Sequence, residues 1–428
     1  MGVLCGMFVL AAAWPATAFA DDLQVSPGPP SQWTQFRLNS RNDARVHGSL
    51  EVSWRIKTGG GFSSSPTVHA NTLFIGNNAG QFFAVDLKTG AVAWSKQYSS
   101  SLMAAPLVYN GAVYLGEGNQ NSYRIRHTKR NVVGSGTNAI IALDATSGQQ
   151  LWSLPLQGSG MPTGAVIGGV LVQHDGAGYV SGVDPHTGEL RFSHALGSVA
   201  SMSAALPVGG DRFITSGSDN GGGVNATWEM RASDGTIVWK HEFDDHFGAI
   251  GDCPSATDGA RVFCDYVAPG AGLVSVNVGA QGEMHAYALS LADGTSVWDL
   301  PLESGAVPMM NEAAIPLVAH GALYVGNSLA PWMHAVDAVN GHLLWRTQVR
   351  GPVKGGVVRS QGAVYFGDLS GYLWALDESD GHVIGVKNMH TSFNVGSPVL
   401  YGRTLFIGTK NGEIIAVPVA QIRASSDP

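Results

Sequence analysis

Charge is scarce in this 428-residue chain: 13% of its residues are charged, and 24 basic side chains against 32 acidic ones leave a net charge of −8. So little positive charge argues against non-specific nucleic-acid binding. Cysteine is scarcer, with three in all. No two are adjacent, there is no Cys-x-x-Cys-His of a haem domain, and the segment holding Cys253 and Cys264 has too few further ligands for a metal. Long apolar stretches are also missing. No run of about 18 apolar residues follows the N-terminus, so no membrane-spanning helix is predicted.

Glycine (57 residues) and tryptophan (11) are plentiful, which favours turns and aromatic anchors over long solvated helices. Residues 1–20 read as a signal peptide. Apolar Val3 to Trp14 leads to the small-x-small pattern Ala18-Phe19-Ala20 and then to Asp21-Asp22, although the usual basic n-region is missing. Cys5 sits inside the apolar stretch, too near the start for lipid attachment. The expectation is a periplasmic or secreted protein, cleaved after about Ala20. Cys253 and Cys264 remain, with the turn dipeptide Asp258-Gly259 midway between them. A two-residue hairpin there would set the cysteines directly opposite each other, close enough for a disulfide in an oxidising compartment. A pair of buried free thiols is the alternative.

The chain is built on a repeat. An apolar strand, often ending in Asp, is followed by Gly and then, four residues on, by an aromatic: Ala84-Val85-Asp86, Gly90, Trp94 is the first copy and Ala142-Leu143-Asp144, Gly148, Trp152 the second. Further copies centre on Gly188 with Phe192, Gly235 with Trp239, Gly294 with Trp298, and Gly341 with Trp345; after Gly381 the aromatic's place is taken by Gly385. Successive anchors, counted from Trp54, are 40, 58, 40, 47, 59, 47 and 40 residues apart. Upstream of each lies a second strand, clearest in Leu73–Gly76, Val113–Gly116, Leu323–Gly326, Val364–Gly367 and Leu405–Gly408. Four short antiparallel strands per repeat, A to D, are the size of a propeller blade, and eight B strands mean eight blades. The last copy lacks a D strand, while Glu51–Trp54 is a D strand with nothing before it. The predicted fold is therefore all-β: an eight-bladed β-propeller over 51–420, its N-terminal strand closing the last blade, after a lead-in at 21–50 and before a tail at 421–428.

The pattern Ala-x-Asp-x-x-x-Gly-x-x-x-Trp resembles the tryptophan-docking motif of the PQQ-like repeat superfamily. The segment Gln32-Trp33-Thr34-Gln35-Phe36-Arg37, followed by Arg41-Asn42, is similar to the lead-in of its exported members. The resemblance spans roughly residues 32–420 and speaks for the fold; its members include quinoprotein dehydrogenases, the outer-membrane assembly propeller and tetrathionate hydrolase, so function has to be read from a site.

Propeller geometry places D-to-A crossings and B-to-C loops on one face, the top, and the terse Asp-x-x-x-Gly turns on the other. Long B-to-C insertions at about 117–138, 217–227 and 268–283 all rise from the top, where function usually sits. The first carries Arg124, Arg126, His127, Lys129 and Arg130, able to draw in an anion or else simply solvated, or tied to acidic neighbours such as Asp244 and Asp245. In the crossing into blade five, Asp252 is a candidate general acid or base with His246 as its partner, surface loop residues being the other reading. Glu312 and Asn311, with Asp252, are hard oxygen ligands suited to Ca²⁺. Lys354 can pair with a quinone oxygen or another anion, and Trp332 can stack on a planar ligand or pack its own loop. The expected function is a ligand site at the top mouth of the channel for an anionic small molecule or a PQQ-type quinone cofactor with Ca²⁺. The alternatives are a scaffold for envelope protein partners, like the outer-membrane assembly propeller, and a sulfur-oxyanion hydrolase like tetrathionate hydrolase.

Overall fold

The Asp-x-x-x-Gly turn sets each sheet. In blade two the Asp144 Oδ1 accepts the backbone N–H of Thr146 at 3.1 Å and of Ser147 at 2.7 Å, and Gly148 follows at φ 69°, where a side chain would be strained. Flanking apolar strands then pair, Ala142 opposite Trp152. The computed structural model describes residues 32–118, 136–219, 224–244, 247–271, 279–308 and 313–427, with the backbone of two further strands, Tyr123–Arg126 and Lys129–Val132. The signal-peptide reading, at residues 1–20, lies outside them.

Eight antiparallel sheets ring one axis. Blade one consists of Thr67–His69, Thr72–Gly76, Gln81–Asp86 and Val92–Gln97. The innermost strands of blades two to eight are Leu107–Tyr109, Ala165–Ile167, Leu206–Gly209, Ala256–Thr257, Leu317–Ala319, Val358–Ser360 and Val399–Tyr401. As the repeat predicts, Trp54–Lys57 closes blade eight by pairing with Glu413–Pro418, Trp54 opposite Ala416. The Gly and Trp anchors turn out to be one device. Each aromatic docks on the glycine of the next blade, so that a Cβ added at Gly148 would lie 2.7 Å from the Trp94 ring. The indole N–H groups of Trp54 and Trp152 donate to the carbonyls of Leu87 and Pro185 in the following blade. Burying the ring and satisfying its N–H together lock neighbouring blades.

Gly385 has a different reason. A Cβ there would run into the carbonyl oxygen of Ile422, because the C-terminal helix Val419–Arg423 lies where an aromatic would dock, with Ile422 fully buried. The Val386 N–H donates to the Ser425 carbonyl at 2.9 Å, so the chain end also covers this outer edge. Gly385→Trp is expected to detach residues 419–427, seen as loss of amide-exchange protection there while the other blades keep theirs; retained protection would refute the account.

Cys253 and Cys264 form a disulfide, with Cα atoms 6.1 Å apart. The hairpin between them is wider than predicted. Thr257 pairs with Val262 and Ala256 with Phe263, leaving a four-residue loop, because the Asp258 Oδ1 accepts the N–H of both Ala260 (2.9 Å) and Arg261 (2.8 Å). That register sets Cys264 opposite Ser255. Cys253 instead reaches its partner from extended backbone outside the ladder, just after the 3-10 turn Ile250–Asp252. Replacing both cysteines by Ala is expected to lower stability by about 3 kcal/mol, read from the urea midpoint of oxidised protein.

The lead-in closes the channel from below. Trp33 bridges Val108 of blade two, and the Thr34, Ser40, Arg41 and Ala44 carbonyls accept the N–H groups of Val166, Thr257, Val318 and Leu400 in blades three, five, six and eight. Arg45–Val46 then runs parallel to the innermost strand of blade eight. Phe36 packs on Ala105, Ala204, Ile315 and Val395, one residue from every second blade, so its ring sits on the axis. Arg37, 2% exposed, donates from Nε to the Asn42 carbonyl (2.8 Å), from Nη1 to Pro398 (3.0 Å) and from Nη2 to Val357. Burial pushes its guanidinium down to about 9, against the raising effect of Asp43, so it is cationic at neutral pH.

On the top face, the blade-two insertion holds a hairpin, Tyr123–Arg126 with Lys129–Val132, whose second strand lies against Ser198–Val199 of blade four. The blade-five insertion is shorter than predicted. The ladder of Arg261–Pro269 with Gln281–Ser290 continues through Pro269 opposite Gly282, so those residues extend the sheet.

Candidate functional site

Because all blades share one register, equivalent positions can be compared around the ring. Thr67, Leu107, Ala165, Leu206, Ala256, Leu317, Val358 and Val399 each open an innermost strand, paired with Phe74, Tyr114, Val172, Ile214, Phe263, Tyr324, Tyr365 and Phe406. Four residues earlier in each crossing stand Ser63, Met103, Met161, Met202, Asp252, Ala313, Lys354 and Val395. These eight form a collar directly above Phe36, against which Val395 packs. The lead-in floors the channel beneath this collar, which makes the channel a blind cup at that end. Met103, Met161 and Met202, from three successive blades, pack on one another along one wall. Around the ring Lys354 stands across from Met161, and Asp252 across from Ser63.

Asp252 and Lys354, both singled out in the sequence, are thus brought to the same collar, 7% and 6% exposed. Asp252 closes the 3-10 turn Ile250–Asp252, and the Ser201 hydroxyl donates to its Oδ1. The crossings of blades four and five are fixed together at this point. The Gly251 carbonyl accepts the N–H of Ser201 (2.9 Å), Met202 (3.2 Å) and Ser203 (3.1 Å). Behind Asp252 lies Asp265, fully buried on strand B of blade five, accepting the Ala314 N–H at 3.1 Å and set 3.7 Å from the Cys253 sulfur. Burial pushes the Asp265 carboxyl well above the ordinary range; the charge of Asp252 adds to the rise, and only the Ala314 N–H opposes it. Burial thus favours the protonated form of Asp265, beside a second carboxyl that a hydroxyl holds in place.

Other residues read from the sequence are elsewhere. Trp332 opens strand C of blade six opposite Gln348, away from the collar, with the Arg346 guanidinium 4.8 Å over its ring. There its ring is one half of a cation–π pair. His246, His127, Asn311 and Glu312 lie outside the described residues. Arg124, Arg126 and Arg130 lie on the backbone of the top hairpin, in which Lys129 pairs with Arg126 and Arg130 with Ile125. The described collar offers one carboxylate and one ammonium, and no chemical step is assigned to a quinone or to Ca²⁺. Sequence reasoning missed Asp265, Ser201 and the three methionines. Asp265 reads as one more residue of a core strand, and the methionines stand out only once strand register aligns the crossings.

A family model described as outer membrane protein assembly factor BamB matches residues 47–133, 136–277 and 281–423. Tetrathionate hydrolase of Acidithiobacillus ferrooxidans is 25% identical over 398 residues, 90% of this chain and 78% of that protein. BamB of Burkholderia pseudomallei is 23% identical over 361 residues, 83% of this chain and 84% of that one. Among solved structures, quinohemoprotein alcohol dehydrogenase from Comamonas testosteroni superposes with a TM-score of 0.65 at 11% identity, over 95% of this chain and 83% of that chain, a likeness of fold alone. By blade count, by its interlocked Gly and Trp anchors and by these matches, the chain belongs to the PQQ-like repeat β-propeller superfamily, in the family of the BamB model.

Proposed function

We propose that the protein is an exported hydrolase that cleaves a small sulfur oxyanion of the tetrathionate type in the blind cup. The observation that carries this reading is a pair of carboxyls, Asp252 at the collar fixed by Ser201 and Asp265 buried behind it, where burial favours its protonated form. Asp252 is the general base: it takes a proton from water as the oxygen bonds to sulfur, and the S–S electron pair leaves with the departing sulfur anion. Asp265 keeps the pair at a single negative charge, since two buried carboxylates side by side are not both ionised. Lys354, two blades on, supplies the counter-charge for a sulfonate, and the basic residues of the blade-two insertion draw the anion toward the collar. The hydrolase relative supports this choice of substrate class. The test is to incubate the protein with tetrathionate and follow thiosulfate and sulfate. Release of neither, at any pH where the protein stays folded, overturns the reading.

A second reading, a scaffold for envelope proteins, is favoured by apolar side chains left on the outer strands, among them Leu151 at 54% and Leu190 at 48% exposed. Its expected result is a crosslinked envelope partner that is lost on Leu151→Asp and Leu190→Asp.

A further inference from the structure

The eight-fold repeat carries its own control for the methionine wall. At the same collar position the other five blades have Ser63, Asp252, Ala313, Lys354 and Val395, so nothing about the backbone there calls for a long apolar side chain. Yet blades two, three and four each place a methionine, and none a leucine or isoleucine, at a spot where all three meet. Leucine fills such a gap with better-defined rotamers, whereas methionine adds a soft, polarisable sulfur. Three thioethers converging from three separate segments are a donor set for a soft univalent cation, and thioether sulfur is the ligand type that selects Cu(I). Met103 and Met161 are 1% and 2% exposed, so their sulfurs are kept from water, while Met202 is partly buried and packs against them. Asp252 neighbours Met202 around the collar, and Ser201, one residue before Met202, bonds to it. Lys354 is on the far side. Thioethers need no deprotonation to bind a metal, so the site keeps its donors in acid, where imidazole and thiol ligands are protonated.

We infer that Met103, Met161 and Met202 form a binding site for a single Cu(I) ion on the wall of the cup. The experiment uses the full chain carrying Cys5→Ala, which leaves no cysteine outside the disulfide, and titrates it with Ag(I) and with Cu(I) against a chromophoric Cu(I) chelator in excess imidazole. One equivalent of either ion should be taken up. Replacing all three methionines by leucine should weaken uptake at least 100-fold without moving the melting temperature of the metal-free protein, whereas Met230→Leu and Met333→Leu, in the blade cores, should leave it unchanged. No uptake by the parent chain, or equal uptake by a folded triple variant, overturns the inference. If the triple variant is less stable, each single leucine variant is compared instead; uptake that is unchanged in all three overturns it too. The inference does not depend on the hydrolase reading: metal uptake and tetrathionate turnover are measured separately, and either can fail alone.

Discussion

Asp252→Asn is expected to lower tetrathionate turnover by about 10²–10⁴-fold, the usual worth of a positioned general base. The substitution is nearly isosteric, and the amide still accepts from the Ser201 hydroxyl that now meets Oδ1. Loss of turnover in a protein with an unchanged urea midpoint at acid pH therefore reports chemistry and not collapse; turnover within threefold of the parent would remove Asp252 from the mechanism. Stability against pH gives a second readout. A carboxyl whose folded value is raised holds its proton more tightly in the folded state than in the unfolded one. Its contribution is therefore fully present in acid and is lost as pH climbs from the ordinary carboxylate range to the raised folded value. Asp265 is such a group, raised first by burial and then by the charge of Asp252. The parent chain should accordingly lose stability over that climb, and Asp252→Asn, which removes the neighbouring charge, should lose less.

Arg37→Ala is expected to cost about 4 kcal/mol or more of stability. Three backbone carbonyls, of Asn42, Val357 and Pro398, take their donors from one guanidinium that is itself out of solvent. Truncation leaves them facing a cavity, and each buried acceptor without a donor costs roughly 1–3 kcal/mol. Arg37→Lys keeps the charge but not the fork, and should recover less than half of the loss. A urea midpoint shift worth under about 1 kcal/mol for the alanine variant would show that the floor of the cup is held mainly by Phe36 and the backbone bridges.

The blades were legible because their punctuation is physical: a glycine that must take a left-handed turn and an aromatic that must find a glycine to dock on. The seam at Trp54 followed from counting strands. What the blades share could be read, and what breaks their pattern could be read only in part. Asp252 and Lys354 were visible as charges in crossings that head for the axis. The register of the Cys253–Cys264 hairpin was not, because the side chain of Asp258 widens a turn that its dipeptide would make tight. Trp332 was placed at the mouth by loop type alone, whereas strand pairing opposite Gln348 carries it to the rim. The channel floor left no periodic trace: residues 33–46 make their hydrogen bonds one blade at a time, with no repeating spacing for a pattern search to find.

That floor also constrains how the molecule is made. Arg37 and Pro398 are bonded across 361 residues of chain, and Trp54 waits for Ala416. Closing loops of this length costs entropy before any contact compensates for it, and a topology so rich in distant contacts folds slowly. The lead-in is thus among the last segments to find its place. It stays unpaired while the blades form, and the ring acquires its centre only when its final strand arrives.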